Sequence, residues 1–374
     1  MTMDIANLSE TMRQGEATRA ALGVQLRARP LWSGAGRLSG VPARYVSPYR
    51  LRGVNSPELL YENIVHNGAV YVAETSNTTN VYTSADLRAW TARPVDASSG
   101  LVPGRLTAAG SLLMTMTAYM GAYALRTSID NGGTWVYHLG VNAQDLTCSA
   151  GGIGYVLSGY GYSTFRTHTP ANVAGTARDF GVAQFWRKVL HNGARWLVVN
   201  DAGNAALWSA NGLNGWTNSA GLAAAVANLP TGETSTRTGY TLGGRFIVVT
   251  MAEGTLSAIY SDDANAWTVG AVGEMEPTGL RVTAVGATAA EMGGVLYIPV
   301  NLTDGTTSWN ALVATDGTKF KWLPAFWRGT GAVPTIRTRV GGGGLIFNGA
   351  STSDTSPGAR FESNPDAQEV YFAV

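Results

Sequence analysis

The feature that most constrains the fold is a repeated pattern of turns and strands. A glycine-containing turn is followed by an apolar strand, a loop, and a second strand that ends in Ser or Thr. The unit recurs seven times, and its closing residues are Ser84, Ser128, Thr167, Ser209, Ser261, Thr315 and Ser363. Two units begin with Asn-Gly, which strongly favours a tight β-hairpin. Repeats of about 40 to 50 residues built from short strands are typical of β-propellers.

A polar turn that leads to a tryptophan follows the closing residue in five units. The fullest copy is SIDNGGTW, Ser128 to Trp135. We expect its Asp to accept backbone N–H groups, its glycines to permit positive φ, and its Trp to pack between neighbouring sheets. The third and seventh units lack this Trp. The residues predicted to have this structural role are Ser84, Asp86, Trp90, Ser128, Asp130, Gly132, Thr134, Trp135, Ser209, Trp216, Ser261, Asp263, Trp267 and Trp322.

These turns resemble the Asp-box (BNR) repeats of sialidase-like β-propellers, over roughly Glu62 to Val374. The seven units predict an all-β, seven-bladed propeller, whereas catalytic sialidases resemble six-bladed rings, and we place its last strand at Glu369 to Ala373. The resemblance also implies a ligand site on the face opposite the boxes. The family's Phe-Arg-Ile-Pro motif is absent, and no nucleophile with a base partner can be identified, so no catalytic residue is predicted. We expect a non-enzymatic protein, with a sialidase-like glycoside hydrolase and a purely structural protein-interaction propeller as alternatives.

The N-terminal residues do not fit the repeat. Residues 1–28 carry Ile5, Leu8, Met12, Leu22 and Leu26 on one heptad seam, which predicts a helical segment for attachment or oligomerisation. A single amphipathic helix lying on the propeller explains the seam equally well. Residues 29–61 read as an extended linker, and residues 62–374 as the propeller.

This layout resembles that of bacteriophage tail fibres and related virion proteins. It implies a virion protein assembled in the host cytoplasm, which contacts other virion proteins through its N-terminal segment. It also implies a homo-oligomer, with a trimer favoured. The ligand would then be a cell-surface glycan or a partner protein.

Acids, arginines and aromatic residues recur where the loops of the opposite face should lie. Aromatic rings can stack on sugars, while charged groups bind hydroxyls or acidic substituents. Phe-Trp-Arg occurs twice in the predicted connections between units, although each Trp could equally be a wedge between blades. The predicted glycan-binding residues are Trp186, Arg187, Trp327, Arg328, Glu74, Asp201, Glu253 and Asp304. The other arginines of these connections are Arg93, Arg105, Arg178, Arg237, Arg281 and Arg337.

Composition argues against several other functions. Only 14% of residues are charged and the net charge is +1, which argues against nucleic-acid binding. The four histidines have no metal-ligand spacing and the single cysteine cannot form an internal disulfide, so we predict no metal and no cofactor. The N-terminus has no apolar core of a secretory signal, and no basic amphipathic helix suggests membrane insertion.

Overall fold

The computed structural model describes residues 61–348, apart from 76–79, 86–88, 96–102, 120–121, 139–142, 150–151, 159–162, 183, 201, 231–235, 278, 293, 329–334 and 339–344. The described part contains 27 strands and one helix, so the fold is all-β. The predicted helical segment 1–28, nearly all of the linker 29–61 and the strand predicted at Glu369 to Ala373 lie outside the described residues. The first strand begins at Tyr61, one residue before the predicted start of the propeller.

The strands form antiparallel sheets in chain order. Sheet I contains β1 (Tyr61–His66), β2 (Tyr71–Thr75), β3 (Asn80–Ser84) and β4 (Thr91–Pro94). Sheet II contains β5 (Pro103–Ala109), β6 (Leu112–Tyr119), β7 (Ala122–Ser128) and β8 (Val136–His138). Sheet III contains β9 (Ala143–Cys148), β10 (Gly154–Ser158), β11 (Thr164–Thr169) and β12 (Asn172–Asp179). Sheet IV contains β13 (Trp186–His191), β14 (Trp196–Asn200), β15 (Ala206–Ser209) and β16 (Thr217–Asn218).

The remaining sheets differ from one another in size. Sheet V contains β17 (Thr236–Leu242), β18 (Arg245–Ala252), β19 (Thr255–Ser261) and β20 (Thr268–Val269). Sheet VI has five strands: β21 (Arg281–Val285), β22 (Ala290–Met292), β23 (Val295–Thr303), β24 (Ser308–Thr315) and β25 (Phe320–Arg328). Sheet VII is a hairpin of β26 (Thr335–Thr338) and β27 (Leu345–Asn348).

The sheets are arranged as a β-propeller. The first strands of sheets I to V contact one another in sequence, so they lie innermost, and β21 packs against sheet V. Sheet VII contacts sheet VI and also β1 of sheet I. Five of these sheets are complete four-stranded blades, rather than the seven predicted. The other two sheets do not match the four-stranded pattern. Sheet VI has a fifth strand, and two strands of sheet VII are described.

A proline explains the extra strand of sheet VI. Pro299 lies in the middle of β23, where it has no N–H to give to the neighbouring strand. The first strand is interrupted opposite it, and β21 and β22 pair separately with the two halves of β23. The carbonyl of Pro299 still accepts the Gly286 N–H at 2.8 Å. The first strand of this blade is therefore split in two.

The helix α1 (Ala220–Val226) was not predicted. It follows the two-residue strand β16 and packs Leu222, Ala225 and Val226 into the core between sheets IV and V. The run AGLAAAV combines high helix propensity with apolar residues three and four apart, so the sequence did contain a signal. No described helix is long and apolar enough to span a membrane.

The propeller has two different faces. The face that we call the turn face carries the turns from first to second strands and from third to fourth strands. The loop face carries the turns from second to third strands and the connections between sheets. Because β1 is a first strand and β27 a second strand, β1 begins and β27 ends at the loop face.

Candidate functional site

The SIDNGGTW turn between β7 and β8 is closed by its own side chains. Asp130 accepts the Thr134 N–H at 2.9 Å and the Thr134 hydroxyl at 2.7 Å, and the Ser128 hydroxyl donates to it at 2.8 Å. Partial burial raises the pKa of Asp130, but these hydrogen bonds outweigh it and leave the pKa below its usual value. Asn131 and Gly132 have positive φ of 60° and 80°. Asp130 thus fixes the turn and is already saturated with local donors.

The tryptophan of this turn packs between two sheets. Trp135 packs against a cluster of Val72, Leu106 and Leu113 from sheets I and II and against a second cluster that contains Val81, and its Nε1–H donates to the Gly132 carbonyl at 3.1 Å. Other turn tryptophans do the same. Those in sheets IV, V and VI, which pack towards the preceding sheet, are Trp216, Trp267 and Trp322.

Hydrogen bonds across the turn face join three pairs of neighbouring sheets. Asn67 of sheet I donates to Asn131 of sheet II at 2.7 Å. Arg195 of sheet IV donates to the Asp263 carbonyl of sheet V. Arg245 of sheet V donates to the Asp316 carbonyl of sheet VI at 3.1 Å, while its Nε is 2.7 Å from Asp262. These polar groups of the turn face therefore link neighbouring sheets.

The loop face has a different feature, a β-bulge near the start of the first strand. The register with the second strand shifts by one residue in β1, β5, β9, β13 and β21, whereas β17 pairs without a shift. Bulges re-aim side chains and are frequent beside binding sites. The inserted residues are Glu62, Gly104 or Arg105, Gln144, Arg187 and Thr283. Polar residues thus recur near the loop-face end of the propeller axis.

The first Phe-Trp-Arg tripeptide buries its Trp and exposes its Phe. Trp186 is only 6% exposed and packs against Phe180, with ring centroids 5.8 Å apart. The prediction that its ring binds sugar was wrong, because the ring is enclosed in the core between sheets III and IV. Phe185 is 55% exposed instead, and Arg187, the bulge residue two positions further along the chain, is exposed as well. Phe185 and Arg187 are therefore the tripeptide's accessible residues.

The second tripeptide does not occupy an equivalent position. Trp327 and Arg328 end β25, the outermost strand of sheet VI, whereas Trp186 begins the innermost strand of sheet IV. Three strand spacings separate the outer strand from the inner one, which amounts to about 14 Å within a sheet. The two tripeptides therefore do not form a repeated site.

The predicted acids differ in their surroundings. Glu74 is paired in register with Asn63 of β1, and Asp201 lies outside the described residues. Glu253 is exposed in the two-residue turn between β18 and β19 with φ of 51°. Asp304 accepts the N–H groups of Thr306 and Thr307 at 2.8 and 2.7 Å, so it is the acceptor of its own turn.

Two connection arginines support turns of the preceding sheet. Arg237 of β17 donates to the Ala202 carbonyl, and burial lowers its pKa. A Cβ on the neighbouring Gly203 would lie 2.5 Å from Arg237 Cδ. Arg281 also lies close to a glycine of the preceding sheet, since a Cβ on Gly254 of sheet V would lie 2.9 Å from Arg281 Cβ. Arg93 and Arg178 lie on outer strands, where they donate to Thr83 and Thr167 respectively.

Groups of three or more His, Cys, Asp or Glu side chains that could hold a metal do not occur among the described residues. Cys148 is half-buried, and the burial of its thiol raises the pKa to about 12. A thiol in this state is a poor nucleophile.

Comparison with known proteins supports the fold. No protein-family model and no curated protein matches the sequence. Among solved structures, virginiamycin B lyase from Staphylococcus aureus has a TM-score of 0.53 at 11% identity, covering 79% of this chain and 94% of that chain. The GH74 enzyme of Niastella koreensis has a TM-score of 0.51 at 15% identity over 78% of this chain. YCF48 bound to D1 peptide has a TM-score of 0.50 at 8% identity, covering 83% of this chain and 96% of that chain.

These similarities define the class of protein as an all-β propeller. The chain spans 42% of the length of the GH74 enzyme. At identities of 15% or less the likeness concerns the fold alone, since one fold carries many functions.

Proposed function

We propose that this chain is a non-enzymatic binding propeller, the receptor-binding or structural head of a virion protein such as a bacteriophage tail fibre. The virion setting is supported by the sequence layout of heptad seam, linker and repeat. Recognition is assigned to the loop face, because the turn face uses its polar groups for contacts between sheets.

The observation that carries the binding site is the pair Phe185 and Arg187. An exposed aromatic ring next to an exposed guanidinium on a bulge offers stacking together with directed hydrogen bonds. Those two contacts suit a cell-surface glycan. A partner protein is the second ligand class, favoured by the similarity to YCF48, a propeller described as bound to a peptide.

We further propose that the full ring has seven blades and that its turns are Asp-boxes. Sheet VII would be completed by residues after Asn348, and its contact with β1 supports closure at this point. The Asp130 and Ser128 hydrogen bonds support the assignment of the turns.

The test is binding of purified protein to host cells or to their extracted polysaccharide. Phe185→Ala and Arg187→Ala should each weaken binding several-fold without changing the melting temperature. Val136→Ala, a matched change of an exposed residue on β8, should leave binding unaltered. Unchanged binding in both loop-face variants would refute this site. Hydrolysis of a sialoside that is lost in Arg187→Ala would support the sialidase alternative.

A further inference from the structure

We propose that the contact between His138 and His168 is a pH-sensitive interlock between sheets II and III, which holds them together while both rings are neutral and releases their outer edges on acidification. His138 ends the outermost strand of sheet II, and His168 lies on the third strand of sheet III. Their ring centroids are 5.8 Å apart. This device is independent of the proposed binding site.

His168 is held as a neutral ring by its surroundings. It has no exposed surface, and its Nδ1–H donates to the Val173 carbonyl at 2.9 Å. Its Nε2 is buried without a hydrogen-bond partner among the described residues. A proton on Nε2 would add a charge and a donor where no described residue offers an acceptor, which is costly in a buried site.

The space for this ring is provided by a glycine. Gly175 on β12 has φ of 74°, and a Cβ on it would lie 2.3 Å from the His168 ring. The other ring, His138, is half-buried and shares a hydrogen bond of 2.8 Å with the Thr127 hydroxyl. The pair is thus built into the interface rather than placed on its surface.

The charged and titratable groups around the pair offer no compensating acid among the described residues of this interface. Arg166 on β11 lies on the same side as His168, and its charge lowers the pKa of both histidines. Cys148 on β9 also packs into this interface, as a neutral thiol. The remaining arginines face elsewhere, since Arg126 lies over Tyr137 and Arg178 donates to Thr167.

The direction of the pH effect follows from these shifts. Burial, then the neighbouring His168 and Arg166, lower the pKa of His138 from 6.5 to about 4, and burial lowers that of His168. A base with a depressed folded pKa stabilises fully above its unfolded pKa, and this contribution is lost as pH falls from about 6.5 towards the folded value. Acidification through this window should therefore favour the separated state.

The experiment is hydrogen–deuterium exchange of the full chain at about pH 7.5 and about pH 5, corrected for the intrinsic exchange rate. The opening equilibrium of β8, β11 and β12 should rise at least about tenfold at the lower pH, as linkage predicts for such shifts. Amides of β18 and β23 should change less. In His138→Gln the rise should shrink several-fold, and His66→Gln, a histidine of the turn face, serves as the control.

His168→Gln provides a second variant if His138→Gln proves unstable. Nitrogen-15 spectra of the imidazoles give an independent measurement, since the His138 ring should remain neutral at pH 5.5. Equal acid sensitivity in His138→Gln and wild type, or protonation of both rings near pH 6.5 with no change in exchange, would overturn the proposal.

Discussion

At the scale of single residues, the turn that ends in Trp135 shows why a polar Gly-rich segment precedes a large aromatic ring. Ser128, Asp130 and Gly132 bring the chain around within a few residues, and Trp135 then enters the gap between sheets I and II. The aromatic ring contributes area to the core of two sheets, while the polar residues satisfy backbone groups that the sharp turn leaves without partners.

Trp135→Ala should therefore reduce stability without directly affecting ligand binding. Trp135 is partly buried, so the expected loss is about 2–4 kcal/mol, somewhat less than for a fully enclosed Trp. The measurement is urea denaturation. Ile129→Ala in the same turn is the control, because Ile129 is 47% exposed and should lose little. A Trp135→Ala protein with wild-type stability would contradict the role assigned to this ring.

Asp130→Ala should cost about 1–2 kcal/mol, because it leaves the Thr134 N–H and two hydroxyls without their acceptor. Asp130→Asn keeps one oxygen and should cost less. The folded pKa of Asp130 is depressed below 3.8, so its contribution is present above that value and is lost as pH falls through the folded pKa. Thermal melts at about pH 7 and about pH 2.5 should show the gap between wild type and Asp130→Ala closing in acid.

At the scale of elements, the split first strand of sheet VI is held by side chains from two other sheets. The Tyr240 hydroxyl of sheet V donates to the Gly286 carbonyl, and Lys188 of sheet IV donates to the Ala287 carbonyl at 3.2 Å. The backbone at the interruption opposite Pro299 therefore contacts sheets IV and V near the axis of the propeller. The backbone groups exposed by the break gain new partners.

Gly286→Ala tests this arrangement. The added Cβ would lie 2.6 Å from Pro299 Cγ, and the Pro299 carbonyl limits any retreat. We expect a loss of about 1–3 kcal/mol through overpacking. Ala287→Ser, one residue away and exposed, should be nearly neutral in the same denaturation experiment. Equal stability of both variants would show that the break in the strand adapts freely.

At the scale of the whole molecule, the fold was more predictable than the candidate site. Turn spacing and the tryptophans depend on local sequence, so they indicated a propeller and the packing of Trp135 between sheets. The exposure of Phe185 rather than Trp186 depends on the residue at which β13 begins, and the bulge at Arg187 depends on pairing with β14. Neither the exposure of Phe185 nor the bulge at Arg187 can be predicted from the sequence of β13 alone. The tripeptide Phe-Trp-Arg occurs at the inner strand β13 and on the outer strand β25, so identical short sequences need not occupy equivalent positions in the blades.

Deleting residues 1–60 should leave a folded propeller, because the described sheets begin at Tyr61. If residues 1–28 drive self-association, the truncated protein should sediment as a monomer while the full chain does not. Deleting only residues 1–14 is a graded control, since it removes the first part of the seam. An unchanged oligomer after full deletion would assign association to the propeller itself.

The position of the two ends of the described chain has a practical consequence. Because β1 begins and β27 ends at the loop face, both flanking segments leave from the side assigned to recognition. A short tether would turn that side towards its anchor and shield it, whereas the predicted linker, fully stretched, could reach about 100 Å and let the head flip over. The length of the linker would then determine whether a ligand can reach the loop face. For a sensor chip, immobilisation through the turn face is the appropriate geometry, because it leaves the loop face accessible whatever the length of the tether.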